Sequence, residues 1–298
     1  MNKLEGVLPI VPTPFAESGR PDADSLRRVA QEAVRAGAAA LVYPGVASED
    51  VHLTAQERAA CLDVVVDTAA GHVPVIAGVN SADPEEMVAL AAGVTRQGAQ
   101  AIMAMAVPAM RDDLTGWFHR LADATGGLPI ILQNLFAPRG ADLSAAEMVG
   151  LAQSVPSIRY VKEEGIPSGP KVSELVEACG PDLDAVIGGG GARYLLEELD
   201  RGAVATMPAI ELLDLHVALM AAYKEGRRDD AIALYERSLP LLLIQAPYRM
   251  RLTKLILKHR GLIDCDAVRE PLPEMDDALK RWSIELYERA MARDLSDA

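Results

Sequence analysis

The chain has 298 residues, half of them hydrophobic, and a formal net charge of −14. That length fits two ordinary domains or one α/β barrel of about 250 residues. The acidic balance argues against nucleic acid or an anionic membrane as partner, since both need a basic face, and makes a small molecule the expected ligand.

The opening Met-Asn-Lys-Leu-Glu-Gly runs straight into a strand, without the basic and apolar regions of a signal peptide. No apolar run reaches about 18 residues, so a soluble, cytoplasmic protein is expected. Short β-rich apolar runs then alternate with amphipathic helical stretches, the pattern of parallel βα units. Eight strands are expected, over residues 7–11, 39–43, 73–79, 101–106, 129–133, 158–162, 185–187 and 203–207. Gly37, Gly98 and Gly202 stand just before strands, where a glycine lets the last helical turn reverse. After the eighth strand the pattern turns helical, over residues 210–225, 228–244, 248–260 and 274–293, with prolines expected only at helix edges or in connections.

The expected fold class is therefore α/β: a (β/α)8 TIM barrel over residues 1–225, with a C-terminal helical extension over residues 226–298 packed on it. An open doubly wound sheet is the competing arrangement. Eight units of fairly even length, and no Gly-x-Gly-x-x-Gly after the first strand, favour closure.

Chemistry in such a barrel belongs at the C-terminal ends of the strands. Lys162, at the end of the sixth, is the strand-end nucleophile with an acid or base alongside. Alternate residues of a strand face the same way, so Tyr160, Lys162 and Glu164 share one face and Val161 and Glu163 the other. An amine that attacks a ketone, beside a carboxylate that moves a proton, is the minimum equipment for imine chemistry on a 2-oxo acid. The plainer alternatives are a solvated strand-end lysine and, for Glu164, a salt bridge to Lys171 or a solvated loop acid. Thr13 and Gln133 are placed to hydrogen-bond substrate or a catalytic water, or to serve structure alone. Glu49 either orients its loop or is structural. The substrate carboxylate is expected on backbone N–H groups around Ala47 and Ser48, with the Ser48 hydroxyl. Five scattered histidines imply no metal. Cys61, Cys179 and Cys265 lie far apart, without zinc or redox spacing.

Several short words carry a family resemblance: Pro12-Thr-Pro14, Gly45-Val-Ala-Ser-Glu49, Pro74-Val-Ile-Ala-Gly78, Ile131-Leu-Gln-Asn134, Val161-Lys-Glu163, and Lys254 ahead of Arg260-Gly-Leu-Ile263. Together they resemble the dihydrodipicolinate synthase and N-acetylneuraminate lyase family of Schiff-base aldolases, lyases and dehydratases, over nearly the whole chain. The resemblance implies that Lys162 forms the imine, that no cofactor beyond this covalent lysine imine is needed, and that Gly188 and Gly189 leave room for the substrate chain. It also implies a homo-oligomer, dimer or tetramer.

The departures are informative. The family's synthases and lyases carry a proton-relaying tyrosine after strand five, where this chain has Gln133. Val46 and Ala47 replace the two threonines of the strand-two loop. One branch, the 2-keto-3-deoxy-pentonate (L-2-keto-3-deoxyarabonate) dehydratases, is similar in its Gln, in Ser48-Glu49, in Lys162-x-Glu164, in Leu239-Pro-Leu241 and in Arg251-Leu-Thr-Lys254. The expected function is a Schiff-base lyase that dehydrates a 2-keto-3-deoxy sugar acid, with Lys162, Glu164 and Gln133 catalytic. A pyruvate-dependent aldolase or synthase is the first alternative, and a non-catalytic metabolite-binding barrel the second.

Overall fold

The computed structural model describes residues 3–180 and 182–292. Strands and helices alternate: β1 (Gly6–Val7), α1 (Ala23–Arg35), β2 (Leu41–Tyr43), α2 (Ala55–Ala69), β3 (Val75–Gly78), α3 (Pro84–Val94), β4 (Ala101–Met105), α4 (Leu114–Thr125), β5 (Ile130–Asn134) and α5 (Ala145–Ser154). There follow β6 (Ile158–Glu163), α6 (Ser168–Glu177), β7 (Ala185–Gly188), α7 (Leu195–Asp200), β8 (Ala205–Thr206), α8 (Leu213–Lys224), α9 (Arg228–His259) and α10 (Asp277–Met291). The helix expected over 274–293 thus begins at Asp277, and its last residue, Arg293, lies outside the described residues.

Local chemistry starts these helices where they start. Thr54 accepts from the Glu57 amide while Glu57 reaches back to the Thr54 amide, and Ser144 and Glu147 repeat the reciprocal pair. Asp83 caps α3 just ahead of Pro84. Each such cap satisfies amides that the first turn leaves open, worth about 1 kcal/mol. Gly37, Gly98 and Gly202 all take positive φ, 91°, 92° and 98°, at the reversals before strands.

The chain divides into two compact units. The first holds Pro74–Met207 with the N-terminal residues up to Glu5. Its strands β3 to β8 run parallel, each paired with the next in sequence. Ile76, Ile102, Ile130, Ile131, Leu132, Val161 and Ile187 are all buried. Parallel strands covered on both faces read as continuous apolar runs, and each such side chain contributes roughly 1.5–3 kcal/mol when buried. One irregularity sets the register at the end of β6. Ile130 pairs Ile158, but Ile131 pairs Tyr160, so Arg159 is an extra residue in β6. That slip by one sets Gln133 opposite Lys162, and Asn134 opposite Glu163. Arg159, left out of the pairing, is half-buried and bonds Asp184.

The second unit holds Gly6–Val73 and the chain from Pro208 onward. The expected first strand, 7–11, is broken in two because Pro9 has no N–H to give. The ladder passes instead through the Pro9 carbonyl to the Val42 amide, and Ile10 bridges Val42 in parallel. Helix α9 runs 32 residues where two helices were expected, and it contains Pro240 and Pro247 in its interior rather than at an edge. The chain breaks from helical geometry at Arg249, φ 44° and ψ −121°. The break falls two residues past Pro247, where the missing N–H interrupts the ladder. Cys61 is buried and Cys179 and Cys265 half-buried, all three free.

Candidate active site

In the first unit, the β6 register brings Lys162 and Gln133 side by side on one sheet face. Lys162 is buried, with its side chain 1% exposed, and its Nζ lies 2.6 Å from Glu164 Oε1. The same Oε1 accepts from Gln133 Nε2 at 2.7 Å. Gln133 Oε1 in turn accepts from Asn80 Nδ2 at 2.8 Å, and Asn80 Oδ1 accepts from the Met105 amide at 2.8 Å. The Met105 N–H therefore fixes which way the Asn80 amide points, that amide fixes Gln133, and Gln133 presents an N–H to Glu164. Burial pushes the Glu164 carboxyl up, but the charge of Lys162 and hydrogen bonds from Lys162 and Gln133 outweigh it and hold the group below the usual value. A carboxylate, an amine and a neutral amide donor thus converge on one point.

On the opposite face of β6 the chemistry is structural. Asn134 Nδ2 donates to Glu163 Oε2 at 2.8 Å and to the Leu143 carbonyl, while its Oδ1 receives the Leu143 amide. Burial pushes Glu163 up, against the hydrogen bonds of Asn134 and Gly165. Lys171, a candidate partner for Glu164, instead bonds Asp142 at 2.9 Å. Glu164 pairs with Lys162.

Gly188 and Gly189 leave room that two carboxyl side chains of the protein lie against. A Cβ on Gly188 would sit 2.8 Å from Glu198 Cδ and nearer still to its Oε2. A Cβ on Gly189 would lie 3.0 Å from Glu164 Cδ and 2.9 Å from the Glu163 carbonyl oxygen. These glycines seat two carboxyl groups.

The remaining expected residues lie in the second unit. Thr13 Oγ1 donates to the Ser48 carbonyl at 2.8 Å and is 2.9 Å from the Tyr43 hydroxyl. The Ser48 hydroxyl donates to the Val11 carbonyl and receives the Gly45 amide, and the Ser48 amide is spent on the Gly45 carbonyl. The Ser48 amide thus closes a short 3-10 turn, Val46–Ser48, while its hydroxyl ties the turn to Val11. Ala47, 8% exposed, lies in the same turn. Glu49, at φ 59° and ψ 41°, is pinned: its Oε1 meets Lys254 Nζ at 2.5 Å and its Oε2 takes the amides of Arg269 and Glu270 at 2.6 and 2.7 Å. Lys254 lies over the Phe15 ring at 4.0 Å and donates to the Ala267 carbonyl. Burial lowers Lys254 to about 8 against the pull of Glu49.

Sequence reading missed Asn80 as the residue that orients Gln133, and Glu198 altogether. The signal for Asn80 was its place two residues past β3; Glu198 sits inside an amphipathic helix, where a glutamate reads as solvated. Among the described residues no group of three or more His, Cys, Asp or Glu could hold a metal ion, and no helix is long and apolar enough to cross a membrane.

Comparison with known proteins gives the family. The model of the dihydrodipicolinate synthetase family matches residues 3–285. L-2-keto-3-deoxyarabonate dehydratase of Azospirillum brasilense is 30% identical over 279 residues, 91% of this chain and 89% of that protein. A 4-hydroxy-tetrahydrodipicolinate synthase of Thermus thermophilus is 28% identical, covering 94% of this chain and 95% of its own. The crystal structure of dihydrodipicolinate synthase from Rhodopseudomonas palustris is similar with a TM-score of 0.88 at 26% identity, over 96% and 97% of the two chains. The fold is the (β/α)8 TIM barrel with its C-terminal helical extension. Enzymes of this family are lyases that act on small 2-oxo acids through a covalent lysine Schiff base, need no external cofactor, and are generally oligomeric. With a family model matched from residue 3 to residue 285, the chain belongs to the dihydrodipicolinate synthetase family.

Proposed function

We propose that this lyase dehydrates a 2-keto-3-deoxy sugar acid. The observation that carries the reading is the Lys162–Glu164 pair, 2.6 Å apart, with Gln133 rather than a phenol as its neighbour. The similar dehydratase of A. brasilense supports the substrate class.

Glu164 takes a proton from Lys162, and the freed amine attacks the C2 ketone. Loss of water leaves an iminium, which acidifies the C3 hydrogens. Glu164, having released its proton to the departing water, removes a C3 proton to give the enamine. The same carboxyl returns that proton to the C4 hydroxyl, which leaves as water. Hydrolysis then frees Lys162, so the net change is loss of one water from substrate. Gln133 holds the carboxylate in line throughout, and its amide cannot relay a proton from the C4 hydroxyl, which retro-aldol cleavage requires.

A second reading, a pyruvate-dependent aldolase or synthase, has its support in the synthases that match the chain over most of its length. The enzyme acts in the cytoplasm as a homo-oligomer, dimer or tetramer, which light scattering on the purified protein checks.

Borohydride trapping with pyruvate and with a 2-keto-3-deoxy pentonate, read by peptide mass, decides the chemistry, with Lys162→Ala as control. An adduct on Lys162 together with loss of water from the unreduced pentonate is the expected result. Release of pyruvate establishes the aldolase instead, and no adduct with either acid ends the imine reading.

A further inference from the structure

Behind the Lys162 pair lies a carboxyl group that the proposed dehydration does not use. Glu198, on α7, is 1% exposed. Its Oε1 accepts from Ser168 Oγ at 2.8 Å, while its Oε2 has no hydrogen-bond partner among the described residues. A bare carboxylate oxygen buried without a donor is costly, whereas a protonated one is cheaper to bury. The seat is made for it: Gly188 accepts the Glu198 carboxyl and Gly189, the next residue, accepts Glu164. Two carboxyl side chains therefore rest on consecutive glycines at the end of β7, with Glu163 buried on β6 beside them.

Three acids share this corner, and the nearby cations serve other acids than Glu198. Lys162 is paired with Glu164, on which the charge of Arg139 also acts; Lys171 on α6 is paired with Asp142 and its charge also acts on Glu163; Arg201, just past α7, is paired with Glu197. Burial pushes Glu198 up to about 7; the Ser168 hydrogen bond opposes this, and the charges of Glu164, Glu197 and Glu163 add to it.

We infer that Glu198 is a positioning residue for the reaction at Lys162: a neutral carboxylic acid, seated on Gly188, whose lack of charge keeps Glu164 ionised in its pair with the lysine. The inference rests on the imine reading. Its consequence is a coupled pair. When Glu164 takes up the C3 proton, the repulsion that holds Glu198 neutral falls, and when Glu198 ionises, Glu164 binds its proton more tightly. Glu198 touches neither substrate nor amine; it acts through Glu164.

The test uses the full chain, with Glu198→Gln as the isosteric neutral mimic and Glu198→Asp as the conservative variant, each checked for a wild-type melting profile. Infrared titration reads protonation directly. Wild type is expected to show protonated carboxyl absorption near pH 6 with a component that fades above about pH 7 and is lost in Glu198→Gln. Borohydride trapping with pyruvate, followed against pH, reads the coupling. Wild type is expected to show an inflection near neutral pH that Glu198→Gln flattens and Glu198→Asp retains in shifted form. Carboxyl absorption undiminished in Glu198→Gln, or an unchanged trapping profile, overturns the inference. If no 2-oxo acid is trapped at all, the imine reading has failed. The infrared titration then shows separately whether Glu198 is the neutral acid.

Discussion

Gly189→Ala tests the geometry most directly. A methyl at Gly189 would stand 3.0 Å from Glu164 Cδ and 2.9 Å from the Glu163 carbonyl oxygen, and closer to Glu164 Cγ. Carbon atoms rest at about 3.5–4.0 Å, so the Glu164 side chain, overlapped most at Cγ, must retreat by about 1 Å or more. It has little freedom to do so, because one of its oxygens is held at 2.6 Å by Lys162 and 2.7 Å by Gln133. Moving a catalytic group by about 1 Å costs about 100-fold in rate. Overpacking adds about 1–3 kcal/mol of destabilisation. The assay is turnover of the pentonate beside urea unfolding, with pyruvate trapping as a measure of the lysine alone. Turnover should fall about 100-fold while trapping falls far less. Wild-type turnover in a variant of wild-type stability would mean that Glu164 does not rest on Gly189, and the reasoning would be refuted.

Glu164→Gln should cut dehydration by about 100- to 10,000-fold and still leave a trappable pyruvate adduct on Lys162, because the general base is lost but the nucleophile remains. Lys254→Met removes the counter-charge of buried Glu49, which keeps only the amides of Arg269 and Glu270, and should cost about 3–5 kcal/mol in urea unfolding, partly recovered in the double variant with Glu49→Gln. His216, buried on α8 with neither ring nitrogen hydrogen-bonded among the described residues, is lowered by burial to about 4. The unfolded chain therefore binds the extra proton between pH 6.5 and about 4, and stability drains away as pH falls through that window, by about 3 kcal/mol in all. His216→Leu should flatten the acid limb of a pH–stability curve. An acid limb of unchanged slope would assign the loss to carboxylates.

The sequence by itself determined the repeat and the Lys162–Glu164 pair. Short apolar runs alternating with capped amphipathic helices leave few arrangements but parallel βα units, and the period of two places Lys162 and Glu164 on one face whatever the surroundings. Capping pairs such as Thr54 with Glu57 are local too, spelled by residues three apart. What only the tertiary structure decided are the relations between strands. Nothing in Ile158-Arg-Tyr-Val-Lys announces that Arg159 drops out of the pairing, yet that one-residue slip brings Lys162 opposite Gln133 instead of a residue away on the other face. The same holds for Asn80, which takes its meaning from a Met105 amide 25 residues away, and for Ser48, whose hydroxyl turned out to brace Val11. It holds for Gly188 and Gly189 as well. A glycine says only that space is left, and which side chain fills that space depends on how α7 and the end of β6 pack against β7, so tertiary packing settled it.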